Sequence, residues 1–436
     1  MSSIKLKDSG IAWIGKIPQH WEIWRLKFLA STYTGNSIKD EEKDFYTDAE
    51  NAIPYIATKD ICRETRQIDY ENGLYIPINN GSFKRAKAES ILLCIEGGNA
   101  GRKIGFLNQE VCFVNKLCCL EVFKNHSAKW LFFALQSKPF STEFKLKLSG
   151  LIDGVSKERL KCFSLPLPPL HEQEAIAKFL DEKCQDIDAL IATHQESIEK
   201  LRDYRTSLIS ETITQGLDKN ATLKDSGIAW IGKIPQHWEV KKLKFVATLN
   251  PIFKHKNQLR ESDEVSFLPM ECLRTNKINP YIASLGKVSD YTFFQENDIL
   301  MAKVTPCFEN LNIAKATNLR NGIGFGTSEI YILRCFDIFD DFLLFFIQSD
   351  GFVQKATSEM RGANGLKRIP SEFVSDCKIP LPPLHEQEAI AKFLDEKCQD
   401  IDALIATHQE SIEKLRDYRT SLISEVIVGQ HQGAYQ

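Results

Sequence analysis

Nine histidines and twelve cysteines are the side chains best suited to acid–base, nucleophilic or metal chemistry in this chain. The cysteines are scattered, no pair is spaced C-x-x-C, and Cys118 and Cys119 are adjacent. That pattern reads as small buried hydrophobes in a reducing compartment, not as a zinc site or a disulfide framework. Three pairs of histidines, His20/His237, His171/His385 and His194/His408, sit in sequence that occurs twice. A catalytic histidine is expected in unique sequence with a partner, and His171 and His385, beside Glu and Gln at helix starts, suit capping or docking. An amino-methyltransferase needs an Asn/Asp-Pro-Pro-aromatic tetrad. The nearest, Asn250-Pro251-Ile252-Phe253, lacks the second proline. The nearest glycine run, Gly322 to Gly326, follows polar sequence and leads into the strand-like Ile330–Leu333. There is no P-loop, and no Asp followed by Glu-x-Lys on a convincing strand. The expectation is a chain with no catalytic residues, no metal and no cofactor.

What remains is the chemistry of contact. One insert carries Lys84, Arg85 and Lys87, then Asn99, Arg102 and Lys103 inside GGNAGRKIG. A second carries Lys254, Lys256, Arg274 and Lys303, then Arg361, Asn364, Lys367 and Arg368 within nine residues. Arginine beside amides and hydroxyls on loops matches the donor and acceptor pattern of base edges in the major groove. Any one such residue is equally a solvated surface side chain; the clusters carry the reading of double-stranded DNA as partner. A formal net charge of −3 argues against it until the charge is located. Between His171 and Thr214 there are ten acids and five bases, and the segment recurs from His385. Each copy is therefore −5, which leaves +7 on the rest, so basic globular parts are separated by acidic ones.

The elements that must hold these clusters follow from a duplication. Residues 6–22 and 223–239 are identical, as are 166–211 and 380–425. So long a period means tandem domains, not a solenoid. The intervening inserts differ but share traces. Glu89–Glu96 resembles Asn297–Val304 and reads as a strand, and Trp130–Ser137 echoes Phe342–Ser349 and reads as an apolar helix. After Pro168-Pro169 no Gly or Pro intervenes until Gly216, which predicts a helix of about 45 residues, roughly 65 Å long. Leu180, Ile187, His194, Leu201 and Leu208 recur every seven residues, with Cys184, Ile191 and Ile198 four further on. That is a coiled-coil seam, repeated by Leu394, Ile401, His408, Leu415 and Leu422 with Cys398, Ile405 and Ile412. Two such helices in one chain are expected to pair antiparallel, with His194 and His408 at the midpoints setting register or responding to pH near 6. No apolar run is long enough for a membrane helix, and the first residues lack a signal-peptide pattern, so a cytoplasmic protein is expected.

The ordered motifs W-x-G-x-I-P-x-H-W-E (Trp13–Glu22), P-L-P-P-L-x-E-Q-x-A-I-A-x-F-L-D (Pro166–Asp181) and I-x-x-L-x-x-x-R-x-x-L-I (Ile198–Ile209) recur at Trp230–Glu239, Pro380–Asp395 and Ile412–Ile423. Together they resemble the specificity subunit of type I restriction–modification systems along the whole chain. The resemblance implies an α+β fold: two globular mixed α/β target-recognition domains separated by two long helices that form an antiparallel coiled coil, pseudo-twofold. The boundaries it implies are a first target-recognition domain at 1–165, a central repeated coiled-coil helix at 166–216, a second target-recognition domain at 217–379, a C-terminal repeated helix at 380–429 and a tail at 430–436. It also implies that each domain reads one half of a bipartite, asymmetric DNA site. The helices would act as spacer and as docking surface for two adenine-N6 methyltransferase (modification) subunits. Restriction/translocase subunits would join through the complex, and this chain would have no catalysis, in a prokaryotic cytoplasm. Other readings of the residues are a standalone DNA-binding or anti-restriction protein without a methyltransferase partner, and a coiled-coil scaffold for proteins only.

Overall fold

The duplicated opening segment folds the same way in both places. Leu6–Asp8 pairs antiparallel with Lys16–Pro18, and Leu223–Asp225 with Lys233–Pro235. The turn is set by Asp8 and Asp225, whose Oδ1 atoms accept from the N–H of Gly10 and Gly227 at 2.8 Å. The computed structural model describes residues 5–148, 154–253, 260–363 and 365–431, in two units: 1–195 with 409–436, and 196–408.

In the first unit, Glu22–Arg25 pairs antiparallel with Ser164–Leu167, which closes the insert between them. Two four-stranded sheets follow. One runs Ala30–Thr34, Leu117–Val122, Ile91–Cys94, Ile104–Phe106, all antiparallel. The other runs Tyr75–Pro77, Ala52–Ile56, Val111–Phe113, Arg85–Ala86, and its central pair is parallel. Ile91–Cys94 is apolar throughout and buried on both faces, which is why it reads as a continuous run without alternation. Helices Ala128–Ala134 and Lys138–Leu146 are capped by Ser127 and Ser137 and bury Trp130, Phe133, Phe140 and Phe144.

The second unit repeats this order. Glu239–Lys242 pairs with Lys378–Leu381. One sheet runs Ala247–Leu249, Ile330–Cys335, Ile299–Ala302, Ile313–Lys315, and the other Tyr281–Ser284, Glu264–Leu268, Ile323–Gly326, Thr292–Gln295, again with a parallel central pair. Helices Asp340–Gln348 and Asp350–Glu359 complete it. One fold is therefore built twice from inserts whose sequences are only faintly alike. An additional two-stranded ribbon, Arg361–Ala363 with Leu366–Arg368, follows the second of those helices.

The long helices run Leu170–Gln215 and Leu384–Ile427, about 69 Å and 66 Å of axis. Each contributes one half to each unit. Leu180, Ile187, Ile198, Leu394, Ile401, Ile412 and Leu422 are buried, and Ile191, His194, Leu201, Leu208, Ile405, His408 and Leu415 are half-buried. Within each unit the halves run antiparallel, and a tryptophan shows it. Trp21 donates its indole N–H to Glu172 at the start of the first helix, and a Cβ on Gly429, past the end of the second, would lie 3.2 Å from the same ring. In the other unit Trp238 donates to Glu386 at the start of the second helix, while a Cβ on Gly216, past the end of the first, would lie 3.1 Å from its ring. Both glycines have φ near +75°, the left-handed C-terminal cap that glycine adopts without strain.

None of the twelve cysteines forms a disulfide. The expectation of burial fails at Cys62 and Cys162, which are exposed, while Cys307 and Cys335 are half-buried. Cys62 opens a tight turn and Cys162 follows a four-residue helix, places where no neighbouring element covers a side chain. No helix among the described residues is long and apolar enough to cross a membrane.

Candidate nucleic-acid interface

In the first unit the glycine-rich loop between strands Ile91–Cys94 and Ile104–Phe106 is tightened by its own backbone. Ala100 N donates to Gly97 O at 2.8 Å and Arg102 N to Asn99 O at 3.0 Å. Arg102 is exposed and Asn99 and Lys103 are half-buried. Lys103 Nζ donates to Thr58 O at 2.7 Å, which ties this loop to the turn at 58–67 and takes the ammonium away from any ligand. Lys84, Arg85 and Lys87 belong to the other sheet. There Lys84 Nζ donates to Thr34 O at 2.9 Å, and the Arg85 guanidinium donates to Ile78 O and lies 3.8 Å from Glu110. Lys87 is exposed. Of this insert's candidates, Arg102 and Lys87 are thus the cations with exposed side chains and no structural bond that the geometry assigns them.

Sequence reasoning passed over the turn at 58–67. Lys59, Asp60, Cys62, Arg63, Glu64, Asp69 and Lys103 line a groove of about 520 Å³. Arg66, at φ +64°, donates to Gln136 Oε1 and to Arg102 O. Burial, with the nearby Arg419 cation, lowers the Arg66 guanidinium to about 10. Arg419 on the second long helix donates through one nitrogen to Asp188 Oδ1 at 3.0 Å and to Glu64 O at 3.2 Å. The density of Lys59, Arg63 and Arg66 was the available signal. Cys62 is also unusual: partial burial raises its pKa, but hydrogen bonding from Thr65 and the backbone of Glu64 leaves the thiol below its ordinary value.

The second unit brings its described candidates together around residues 303–312. Lys303 O accepts from Ile369 N at 2.9 Å and Thr305 N donates to Lys367 O at 3.0 Å. The segment after strand Ile299–Ala302 is therefore stitched to the ribbon that holds Arg361, Lys367 and Arg368. The Lys303 ammonium stands 5.2 Å over the Tyr331 ring. Arg274 is exposed at a groove of about 760 Å³ shared with Thr275, Cys307, Asn310 and Asn312. Arg368 is engaged by Glu329 through two bonds of 2.8 and 3.0 Å, which holds the Glu329 carboxyl below its usual range and raises Arg368. Lys254, Lys256 and Asn364 lie outside the described residues. The first unit carries the same stitch, with Val155 N donating to Ile95 O at 2.9 Å, so the two candidate faces share a plan.

The frame that presents these faces is identical in both units. Glu172 accepts from Trp21 at 2.7 Å and lies 2.7 Å from His20; Glu386 accepts from Trp238 at 3.0 Å and lies 2.7 Å from His237. Buried Gln173 accepts from Ser127 N at 2.9 Å and donates to Pro168 O at 2.9 Å, and Gln387 does the same with Phe339 N and Pro382 O. The histidines are thus consumed in joining the opening segment to a helix start. His171 and His385 are exposed beside those carboxylates at 3.9 and 4.0 Å. Among the described residues no cluster of His, Cys, Asp or Glu is arranged to hold a metal.

A doubled α+β unit with variable inserts on an invariant helical frame is the architecture of a modular recognition protein. Residues 18–201 and 235–415 each match the type I restriction modification DNA specificity domain, and the chain belongs to that family. It is 35% identical over 196 residues to the type I restriction enzyme EcoAI specificity subunit of Escherichia coli, a match that covers 42% of this chain and 33% of that protein. It is 26% identical over 438 residues to the MjaVIII specificity subunit of Methanocaldococcus jannaschii, covering 95% and 93%. With the EcoAI and EcoEI subunits the match spans about a third of the relative's length. A solved chain from work on complex assembly and conformational transition of the type I R-M system superposes with TM-score 0.69 at 15% identity, covering 95% of this chain and 99% of that one. The HsdS subunit of Thermoanaerobacter tengcongensis gives 0.53 at 16%, covering 95% and 98%.

Proposed function

We propose that this chain is the non-catalytic, DNA-reading subunit of a type I restriction–modification complex in a prokaryotic cytoplasm. Each insert reads one half of a bipartite, asymmetric site, the two long helices set the gap, and two adenine-N6 methyltransferase subunits dock on the frame. Restriction/translocase subunits join through that complex. The recognition domains are 1–165 and 217–379, the helical segments 166–216 and 380–429, and the tail 430–436.

The observation that carries this reading is the division of the molecule into identical frame and unlike inserts built on one fold. Large apolar side chains are exposed in matched sets: Phe28 and Phe245 just past the opening segment, and Leu190 and Leu404, Tyr204 and Tyr418 on the long helices. Two equal sets of exposed apolar groups fit two copies of one partner, as two equivalent sites require. The inserts, which need not match, carry the exposed candidates Lys84, Lys87, Arg102, Arg274, Arg361 and Lys367. The test is single-molecule sequencing for modified adenines in a host with and without this gene. A bipartite methylated motif that vanishes with the gene is expected; unchanged adenine methylation would sink the reading.

A further inference from the structure

The ribbon Arg361–Ala363 with Leu366–Arg368 has no core of its own. All six residues are exposed, Leu366 at 55%, although strands Ile299–Ala302 and Ile330–Ile332 in the same unit are buried. Three-residue strands paired only with each other do not persist in water. This pair is held along its second strand instead, where Val304 bridges antiparallel to Arg368. Thr305 N donates to Lys367 O, Lys367 N donates to Thr305 Oγ1 at 3.0 Å, and Thr305 Oγ1 donates to Gly365 O at 2.8 Å. Arg368 is clamped by Glu329. Gly362, at φ +151°, closes the pair: a Cβ there would lie 2.2 Å from Leu366 O. The ribbon is therefore anchored along its Leu366–Arg368 strand, while the side chains of both strands stay exposed.

Register decides which side chains are presented. Arg361 faces Arg368 and Ala363 faces Leu366, on one side; Gly362 faces Lys367, on the other. With Arg368 bound to Glu329, Arg361 and Leu366 remain on the first side and Lys367 on the second. Residues 361–368 contain three bases and no acid. The core of a protein interface is depleted of charged side chains, whereas this ribbon carries three cations beside one large exposed aliphatic residue. Cations flanking a single aliphatic side chain suit a groove lined by phosphates, and the major groove admits a two-stranded ribbon.

We propose that this ribbon enters the DNA major groove, with Arg361 on a guanine edge, Leu366 on a thymine methyl, Lys367 on a phosphate and Arg368 fixing the ribbon's angle. The proposal rests on the reading that the second insert recognises DNA. The test uses the complex with its methyltransferase, measuring binding and methylation on duplexes varied one base pair at a time. R361A is expected to lose roughly ten- to hundredfold discrimination at one position of one half-site. K367A should weaken binding to all sequences alike and flatten its salt dependence. The other half-site, read by the first insert, must stay intact in both variants, which reports that they fold and assemble. R361A with discrimination within about twofold of the parent overturns the proposal. So does a uniform loss in R361A over all sequences. Failure of the variants to hold the methyltransferase while sequence preference survives places a protein on the ribbon and likewise overturns it. If the parent complex shows no half-site preference, it is the DNA-reading function that falls.

Discussion

Glu172 looks, from its place in a first helical turn, like a carboxylate stabilised by the helix dipole. Its oxygens are in fact occupied by the Trp21 indole and His20, as those of Glu386 are by Trp238 and His237. Trp21 and Trp238 are almost wholly buried, so E172A and E386A each remove a carboxylate that accepts from a buried indole N–H. E172A and E386A are each expected to cost about 1–3 kcal/mol, read as a shift in the denaturation midpoint of the corresponding unit. Cysteine reactivity separates along the same local lines. Cys62 is exposed and its thiol pKa is lowered, whereas burial pushes Cys118 and Cys119 up to about 12. Since the thiolate is the nucleophile, alkylation at neutral pH should label Cys62 well before Cys118 or Cys119, as peptide mass spectrometry can resolve.

At the scale of elements, the two long helices end alike but not equally. Gly216 and Gly429 both cap in the left-handed region, yet a Cβ on Gly429 would come within 2.3 Å of Pro18, against 3.1 Å from Trp238 for Gly216. Each alanine costs roughly 1–2 kcal/mol for its backbone alone. G429A is therefore expected to melt lower than G216A, and equal melting temperatures would contradict the packing. Arg419 and Arg205 form another unequal pair. Both meet an aspartate on the facing helix, Asp188 at 3.0 Å and Asp402 at 3.2 Å, but Arg419 also holds Glu64 O of the first insert. R419A should thus destabilise more than R205A, and by limited proteolysis it should loosen the turn at 58–67.

For the whole molecule, the proposed spacer makes a length prediction. Four residues added to one long helix lengthen it by about 6 Å, or roughly two base-pair steps of about 3.4 Å. The preferred gap between half-sites should move by one or two base pairs while both half-site sequences stay the same; an unmoved gap in methylation mapping refutes the ruler. Replacing residues 24–165 with another family member's insert should change one half-site only. Such an exchange is compatible with the fold because the insert enters and leaves through one antiparallel pair, Glu22–Arg25 with Ser164–Leu167.

The duplication, the length of the helices and the sevenfold seam from Leu180 to Leu208 are legible in the residues, because helix periodicity and the absence of Gly and Pro are local properties. So is the presence of cationic clusters. Which cations remain available is not local. Lys103 ends on Thr58 and Arg368 on Glu329, while Arg361 and Lys367 stay exposed on a ribbon whose anchor, Thr305, is distant in sequence. The direction of the helix pairing, expected from topology, is enforced in each unit by a buried tryptophan that meets one helix start and one helix end. Spacing along a chain reports periodic elements, but the partner of a charge is chosen only when folding brings remote segments within hydrogen-bond reach.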